Sequence, residues 1–289
     1  KGSSINLKFP AAANACSNED QYPYQDETIE TQRLAALSTL YDLHSLEWLA
    51  RHINDGDKVL EMGSGDGQLA RQVLKMLGEH GKYLGIEANP KRVETAQLTL
   101  AVCKNAELRQ QDAIEAAATL PKASYDVIYF RWFLWTVPLA SRISFLDNLF
   151  SLLKPGGVIL AEEADMTALH CEPTHACIEQ HKRDIELRCK LGGHPLTLGS
   201  EMPAIFKQAQ PAAIISGAEC FQPVTNKQEY KLLLYFGAKS ARDSFLKADL
   251  DAEVLDANIA QLKEIAEDET YTLRLTANYF TSAMLEKTK

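Results

Sequence analysis

The chain has 289 residues, a formal net charge of −9 and 46% hydrophobic residues. This length can bury one large core, or one core with a smaller appended lobe. The acidic balance disfavours a protein that holds nucleic acid by neutralising phosphates, and no apolar stretch approaches the length of a membrane span.

The cysteines and the N-terminal residues bear on localisation. The six cysteines contain no C-x-x-C pair and no compact framework, which favours a reducing compartment. The N-terminus also lacks the charged-then-apolar order of a signal peptide. We therefore expect a cytoplasmic protein with no membrane partner.

The first part of the chain is predicted to be an arm followed by helices. Residues 1–20 show no periodicity and are expected to be flexible. From Glu27 to His52, apolar residues recur at helical spacing, which predicts two amphipathic helices broken near His44. These cover helices, bounded at 27–54, precede the first strand.

Strands and helices then alternate, as in a doubly wound parallel sheet. The expected strands are 58–62, 82–86, 106–110, 125–130 and 157–163. The expected helices between them are 68–80, 90–103 and 138–153.

The part of the chain after Asp165 is predicted to contain a helix near 173–191, a sixth strand at 212–215 and a last strand at 271–280. Between the last two strands, residues 227–266 form a helical stretch longer than a usual crossover, and such connections are often functional lids. We predict a lid over an acceptor pocket. A structural or dimer-forming role stays open, and with it a homodimer.

The most informative stretch follows the first predicted strand. Glu61 is followed by glycines at every second position, Gly63, Gly65 and Gly67. A dinucleotide-binding turn has the spacing G-x-G-x-x-G and seats a pyrophosphate, which a carboxylate at position 61 would repel. That carboxylate would attract an ammonium group, and a nucleoside cofactor with an amino-acid ammonium is S-adenosylmethionine.

The second predicted strand supports this cofactor. It ends at Glu87, about 20 residues after Gly67, where an α/β nucleotide site holds a ribose diol with a carboxylate. The alternative role for Glu87 is that of an ordinary acid before the helix that starts near Pro90.

These residues resemble the class I S-adenosylmethionine-dependent methyltransferases over residues 45–165. The resemblance includes Gln111-Asp112-Ala113, the strand from Tyr125 to Phe130, and Leu152-Leu153-Lys154-Pro155-Gly156-Gly157. It implies an α/β, doubly wound, seven-stranded Rossmann-like methyltransferase fold with N-terminal helices and a helical lid before the last strand. It also implies S-adenosylhomocysteine as product, with Asp112 on the adenine amino group and an Ala113 backbone amide on its ring.

The predicted cofactor site combines the glycine turn with the ends of the next three strands and one N-terminal aromatic residue. Its members are Tyr24, Glu61, Gly63, Ser64, Gly65, Gly67, Glu87, Ala88, Asp112, Ala113 and Arg131. Tyr22 and Tyr24 belong to a motif similar to that of a subset of small-molecule methyltransferases, in which N-terminal aromatic residues fold over the cofactor. They would close over the sulfonium cation, or would only anchor the arm to the core.

The predicted acceptor site lies after the fourth strand. There Arg131 could grip an anionic acceptor, and Trp132 and Trp135 could form an apolar wall with Tyr22 nearby. Core positions in the next helix are the alternative for both tryptophans. The polar-Pro-Pro-aromatic tetrapeptide that marks nucleobase or amide methylation in the family is absent, which disfavours a nucleic-acid acceptor.

Candidate general bases cluster at the end of the fifth predicted strand. Glu162, Glu163 and Asp165 lie together there, and like charges so close would raise a carboxylate pKa, which makes Glu162 or Glu163 a candidate base. His170 and His175 are further candidates.

Two cysteine–histidine pairs were weighed as metal ligands. Cys171 with His175 and Cys177 with His181 are each spaced by four residues, but structural zinc sites show tighter paired spacings. We predict no metal.

The sequence thus predicts one methyltransferase domain at 21–289, with a cofactor-binding core at 55–165 and an acceptor and lid region at 166–289. The predicted function is methyl transfer from S-adenosylmethionine to a small organic acceptor, in biosynthetic or secondary metabolism. Methylation of a protein or RNA, or a non-catalytic nucleotide-fold binding partner, are the alternatives. The methylated atom, oxygen, nitrogen or carbon, stays open.

Overall fold

The computed structural model describes residues 27–192, 194–217 and 219–285. The predicted arm at 1–20 and the aromatic residues Tyr22 and Tyr24 lie outside these described residues.

The first half of the described chain alternates helices and strands. Its helices are α1 (Glu27–Leu49), α2 (Gln68–Leu77), α3 (Pro90–Thr99), α4 (Ala113–Thr119) and α5 (Arg142–Leu152). Its strands are β1 (Lys58–Met62), β2 (Lys82–Glu87), β3 (Ala106–Gln110), β4 (Tyr125–Arg131) and β5 (Leu153–Asp165). Two short 3-10 turns, Leu134–Thr136 and Leu139–Ser141, follow β4.

The second half is mostly helical. Its helices are α6 (Ala176–Gly192), α7 (Leu198–Ala209), α8 (Gln228–Ser240), α9 (Arg242–Lys247) and α10 (Ala252–Glu267). Its strands are β6 (His170–Glu172), β7 (Ile214–Ile215), β8 (Glu219–Phe221), β9 (Val224–Thr225), β10 (Thr272–Arg274) and β11 (Ala277–Met284).

The main sheet has the order β3-β2-β1-β4-β5-β11-β7, with β8 also paired to β11. Strands β1 to β5 pair in parallel, whereas β11 runs antiparallel to β5 and to β7. Both faces of the central strands are covered, because neighbours such as Val59 and Leu60 point to opposite faces and are both buried. The predicted doubly wound fold is confirmed.

Local sequence signals explain where the helices of the first half begin. Gly67 takes the left-handed conformation, with φ of 79°, immediately before α2. The Asn89 side chain accepts from two backbone amides at the start of α3, where Pro90 occupies the first turn. Asp112 caps α4 in the same manner. Each of these helices therefore starts at the carboxyl edge of the sheet, where a parallel strand has just ended.

Two hydrophobic cores cover the two faces of the main sheet, and a third lies outside them. It forms among α1, α6, α8, α9, α10 and a small sheet of order β6-β10-β9. Lys231 is buried here, and its ammonium group donates to three carbonyl oxygens at the end of α10, those of Ile265, Asp268 and Tyr271. A cation at a helix C-terminus is favourable, so this buried charge is compensated within the fold.

Two boundaries differ from the predictions. Helix α1 is one unbroken helix, because neither glycine nor proline interrupts it and the His44 ring simply stacks on Phe221, with centroids 3.6 Å apart. The predicted last strand at 271–280 is wrong as a single element. The chain leaves the small sheet after Arg274 and enters the main sheet at Ala277, where β11 continues to Met284.

The predicted helical stretch 227–266 consists of α8, α9 and α10. Helix α4 and the strands β6, β8 and β9 were not predicted because they are short, and α7 was not predicted because Pro203 interrupts its helical pattern. Within the described ranges, no helix is both long and apolar enough to cross a bilayer.

Candidate active site

The glycine turn after β1 leaves room for a ligand beside the backbone. Gly63, Gly65 and Gly67 all have positive φ angles, of 76°, 58° and 79°. A methyl group built on Gly65 meets nothing within 4 Å, whereas one built on Gly63 would lie 2.6 Å from the Phe133 ring. The turn is held in place because the amides of Gly63 and Ser64 both donate to the carbonyl of Ile86. The turn from Gly63 to Gly67, which we name the cradle, is therefore fixed in position and has open space beside Gly65.

Glu61 supplies a buried carboxyl group at the end of β1. It is 4% exposed, and within the described part of the chain it accepts one hydrogen bond, from the Tyr83 hydroxyl at 2.5 Å. Burial raises the pKa of Glu61 to about 8, although the Tyr83 bond acts in the opposite direction. A cation bound beside this group would favour its ionised form, so the site suits an ammonium group.

Glu87 bridges the turn and the next helix. One carboxylate oxygen accepts from the Gly65 amide at 3.0 Å and the other from the Asn89 amide at 2.9 Å. A carboxylate has about four acceptor positions, so these two bonds leave capacity for a diol. The alternative role at the start of α3 is real as well, but Asn89 rather than Glu87 caps that helix.

The ends of β2 and β3 lie side by side, as the cofactor prediction requires. The Gln111 amide donates to the Glu87 carbonyl at 3.1 Å, and Ala88 is exposed next to it. One oxygen of Asp112 accepts from the amides of Ile114 and Glu115, at 2.9 and 3.0 Å. This cap fixes the direction of the Asp112 side chain at the sheet edge, and buried Ala113 follows it.

Arg131 has internal partners, and its predicted role as a grip on the cofactor or an anionic acceptor stays a prediction. Its guanidinium donates to Asp42 at 2.7 Å, lies 3.7 Å from Glu162 and covers the Trp132 ring at 4.1 Å. Burial alone would lower the pKa of Arg131, but the charges of Glu162 and Asp42 outweigh it and raise the pKa. The sequence could not show this pairing, because Asp42 comes from α1.

Glu162 has structural partners on three elements, and its predicted role as a general base stays a prediction. It is fully buried and accepts from Ser45 at 2.6 Å, Asn278 at 2.5 Å and Tyr129 at 2.8 Å. Its lone pairs are therefore engaged by α1, β11 and β4. The carboxylate ties the first helix to the sheet.

Glu163 fits the role of base better, because part of its carboxyl group is unengaged. One oxygen accepts from the amides of Phe133 and Leu134, at 2.8 and 2.6 Å, and the other is buried without a partner in the described part of the chain. Burial raises the pKa of Glu163 to about 8, although the Leu134 and Phe133 amides lower it. Asp165 instead binds Thr167 and Ser200 and caps the following turn.

The two tryptophans after β4 meet at the sheet edge. Trp132 has a φ of 47°, and its indole donates to Asn278 at 2.8 Å. The Trp135 indole donates to the Trp132 carbonyl at 2.8 Å. Both side chains are half-buried, so each presents part of its ring at the surface of the loop. The wall predicted from these residues is geometrically available.

The two histidine candidates lie elsewhere, in the small sheet. His170 is in β6, opposite Arg274. The His175 ring accepts from the Cys177 amide at 3.2 Å and packs edge-on against Tyr271, with centroids 5.6 Å apart. The structure gives neither histidine a contact with Glu163 or with the tryptophans, so it does not bring the four candidate bases together. Across residues 27–192, 194–217 and 219–285, no three histidine, cysteine or acidic side chains are arranged to hold a metal ion.

Sequence reasoning missed a set of nitrogen-bearing side chains behind the loop that follows β4. Arg142, at the start of α5, is 2% exposed and contacts Nδ1 of His194 at 2.9 Å. His194 in turn packs against Trp135, with ring centroids 6.0 Å apart. The available signal was an arginine between two apolar stretches, directly after the loop that carries the tryptophans.

A cavity of about 460 Å³ opens at the opposite, amino-terminal edge of the sheet. It is lined by the starts of four strands, including Lys58, Lys82, Ala106 and Tyr125. Ligands of open α/β sheets bind outside the carboxyl ends of the strands, and the predicted site residues from Glu61 to Arg131 lie at that other edge. We therefore assign the site to the glycine turn and not to this cavity.

Comparison with known proteins agrees with this geometry. Residues 53–237 match the family model described as a methyltransferase domain. A protein-L-isoaspartate O-methyltransferase of Methanococcus maripaludis is 31% identical over 159 residues, which are 54% of this chain and 69% of that protein.

Two solved structures share the architecture. Phosphoethanolamine N-methyltransferase 2 of Haemonchus contortus superposes with a TM-score of 0.58 at 17% identity, covering 97% of this chain and 62% of that one. The YcgJ protein of Bacillus subtilis gives 0.54 at 15% identity, covering 85% of this chain and 99% of that one. At such identities the likeness shows the fold alone.

Proposed function

This chain belongs to the S-adenosylmethionine-dependent methyltransferases, and we propose that its acceptor is a small organic molecule. The observation that carries the proposal is the helical cover beside the cofactor cradle. A covered edge suits a molecule that is enclosed during transfer, whereas a polypeptide acceptor needs an open groove along the surface.

The cover is formed where α1 and α8 meet α3. Glu30 of α1 binds Arg33 through both oxygens, at 2.7 and 2.8 Å, and lies 3.9 Å from Arg92 of α3. The hydroxyl of Ser240, the last residue of α8, lies 3.5 Å from Glu30. Because α3 begins just after Glu87, these contacts support a cover next to the expected ribose position. We propose that α8 to α10 act as the lid.

The proposed roles in the cradle follow from charge and space. Glu61 would hold the ammonium group, Glu87 the ribose diol and Asp112 the adenine amino group, with the chain passing close to the ligand at Gly65. The cofactor supplies an electrophilic methyl group on a sulfonium. The chain's own residues would align the acceptor with that methyl group and exclude water from it.

Glu163 is the proposed general base for a methyl acceptor that loses a proton on methylation. Its unpartnered buried oxygen lies in the same carboxyl group that fixes Phe133 and Leu134, so its position relative to the loop is set. A pKa raised to about 8 suits a base that works near neutral pH.

Labelling tests the proposal directly. The protein is incubated with methyl-labelled S-adenosylmethionine and an extract of the organism from which it comes, separated into small molecules and proteins. We expect labelled product in the small-molecule fraction, identified by mass. Label found in the protein fraction alone would contradict a small acceptor.

A protein acceptor is the second candidate, favoured by the 31% identity to a protein-L-isoaspartate O-methyltransferase. The discriminating substrate is a synthetic peptide with one isoaspartyl residue, compared with the same peptide that carries aspartate. Methylation of the isoaspartyl form alone would support this candidate, and methylation of neither form would exclude an isoaspartyl acceptor.

A further inference from the structure

Arg142 and His194 are in contact behind the loop that follows β4, and the charge of Arg188 on α6 acts on both His194 and His181. We name them the arginine cluster: Arg142, Arg188, His181 and His194. We propose that the acceptor carries an oxyanion, a carboxylate or a phosphate, and that the arginine cluster binds it. This inference rests on the proposed function, because it assigns the substrate class of the same site.

Within the described residues, the hydrogen-bond partners of Arg142 are neutral. It donates to the carbonyl oxygens of Val137 and Trp135, at 3.0 and 3.3 Å, and contacts Nδ1 of His194 at 2.9 Å. Burial lowers the pKa of Arg142, and the charges of Glu163 and Glu201 offset only part of this decrease. A bound oxyanion would supply the missing counter-charge.

Arg188 presents a donor with no partner. Its guanidinium lies 5.1 Å from the Phe245 ring centre, and its Nε is buried without a hydrogen-bond partner in the described part of the chain. Buried donors without partners are rare in native proteins, and each one needs an explanation such as a ligand. Within the same part of the chain, neither Arg142 nor Arg188 is paired with a carboxylate at ion-pair distance.

The two histidines report the positive field of these arginines. The pKa of His194 falls to about 4 through burial and the charges of Arg142 and Arg188. The pKa of His181 also falls to about 4, through burial and the charge of Arg188. Both imidazoles are therefore neutral near pH 7, and the two guanidinium charges are not cancelled. Guanidinium groups recognise carboxylates and phosphates through paired hydrogen bonds.

The arginine cluster adjoins the expected site of methyl transfer. His194 contacts the Trp135 ring, and Arg142 holds the Trp135 carbonyl. Trp135 is bonded to Trp132, which follows β4 at the carboxyl edge of the sheet. An acceptor whose oxyanion is bound by the cluster could extend past the tryptophans toward the glycine turn.

Anion exchange provides the test. Small molecules from the source organism are divided into a flow-through of neutral and cationic compounds and a salt eluate of anionic ones. Each fraction is given to the protein with methyl-labelled S-adenosylmethionine, and products are identified by mass. We expect the labelled product from the eluate. Alkaline phosphatase treatment of the eluate then distinguishes a phosphate ester, which is destroyed, from a carboxylate, which survives.

Three variants connect this result to the residues. Arg188→Met keeps an unbranched stem against Phe245 but removes the charge, and Arg188→Lys keeps the charge. The control is Arg183→Met on the same helix, because Arg183 is exposed and, among the described residues, donates a hydrogen bond to Gln180 alone. We expect Arg188→Met to raise the acceptor KM about tenfold or more, Arg188→Lys to recover part of the loss, and Arg183→Met to match the wild type. Affinity for S-adenosylhomocysteine should stay unchanged in all three.

The outcomes separate this inference from the proposed function. An acceptor in the flow-through, or a wild-type KM in Arg188→Met, would overturn the oxyanion assignment while methyl transfer stands. No labelled small molecule from either fraction would contradict the proposed function, and this assignment with it.

Discussion

Removing the Glu87 carboxylate should weaken cofactor binding without unfolding the chain. In the proposed complex this carboxylate accepts hydrogen bonds from the ribose diol while it holds the Gly65 and Asn89 amides. Hydrogen bonds to a charged group contribute ~1.5–3 kcal/mol, which corresponds to a loss of about 10- to 150-fold in affinity. Glu87→Ala should therefore raise the dissociation constant of S-adenosylhomocysteine by that factor in calorimetric titration.

The control for this prediction is Asn89→Ala. Asn89 caps α3 through the Lys91 and Arg92 amides, so its loss should cost ~1 kcal/mol of unfolding free energy. It should leave the affinity nearly unchanged. Denaturant unfolding of both variants separates the two effects. Equal affinity of Glu87→Ala and the wild type would refute the assignment of Glu87 to the ribose. Equal losses of affinity in Glu87→Ala and Asn89→Ala would mean that Glu87 acts only by supporting the turn.

The remaining predictions concern pH, the first helix and the lid. The folded-state pKa of Glu163 is raised from 4.5 to about 8, so its contribution to stability is present below pH 4.5 and is lost as pH rises toward 8. Chemical denaturation should therefore show a smaller loss of unfolding free energy between these pH values in Glu163→Gln than in the wild type. The same pH dependence in both proteins would contradict a buried neutral carboxyl group. Asn278→Ala should lower the unfolding free energy by ~1–3 kcal/mol, because it removes one of the three hydrogen bonds to buried Glu162 and the hydrogen-bond acceptor of the Trp132 indole; urea unfolding measures this, and a loss below the experimental error would refute the network. Amide hydrogen exchange in α8 to α10 and at residues 27–40 should slow when S-adenosylhomocysteine and acceptor are both bound; equally slow exchange in the free protein would mean that these helices are a static lobe.

Local signals predicted the cofactor half of the chain. The spacing of Gly63, Gly65 and Gly67 after a buried strand, and the acid that ends the next strand, depend only on neighbouring residues. Apolar periods placed the first five strands to within a few residues at each end, because β1, β2, β4 and β5 are largely buried and all five are bounded by turn residues, although edge strand β3 is partly exposed. Helix α4 was missed because it has only seven residues and alanine dominates it.

Contacts between distant segments decided the acceptor half, and the sequence could not show them. Glu162 and Glu163 are adjacent in the chain and chemically alike, yet the first is engaged by Ser45 and Asn278, 117 and 116 residues away. Glu163 faces the other side of the sheet, toward the loop after β4. Alternation along a strand predicts opposite faces but not which face supplies partners.

The histidine candidates show the same limit. His170 and His175 follow β5 closely in sequence, but the chain turns into the small sheet before it reaches them. His194 and Arg188 lie further along the chain and are brought to Trp135 and Arg142 by helix α6 and the turn after it. Sequence distance from the strand end was therefore a poor guide to distance from the site.

A crystal structure of the protein with S-adenosylhomocysteine tests the central claim most directly. We expect the ligand in the glycine turn, with its ammonium group at Glu61, its ribose hydroxyls on Glu87, its adenine beside Asp112, and its sulfur facing the loop that carries Trp132 and Trp135. A ligand bound elsewhere, such as the cavity at the amino-terminal edge of the sheet, or a turn that stays empty at saturating ligand, would contradict the assignment of this site to methyl transfer.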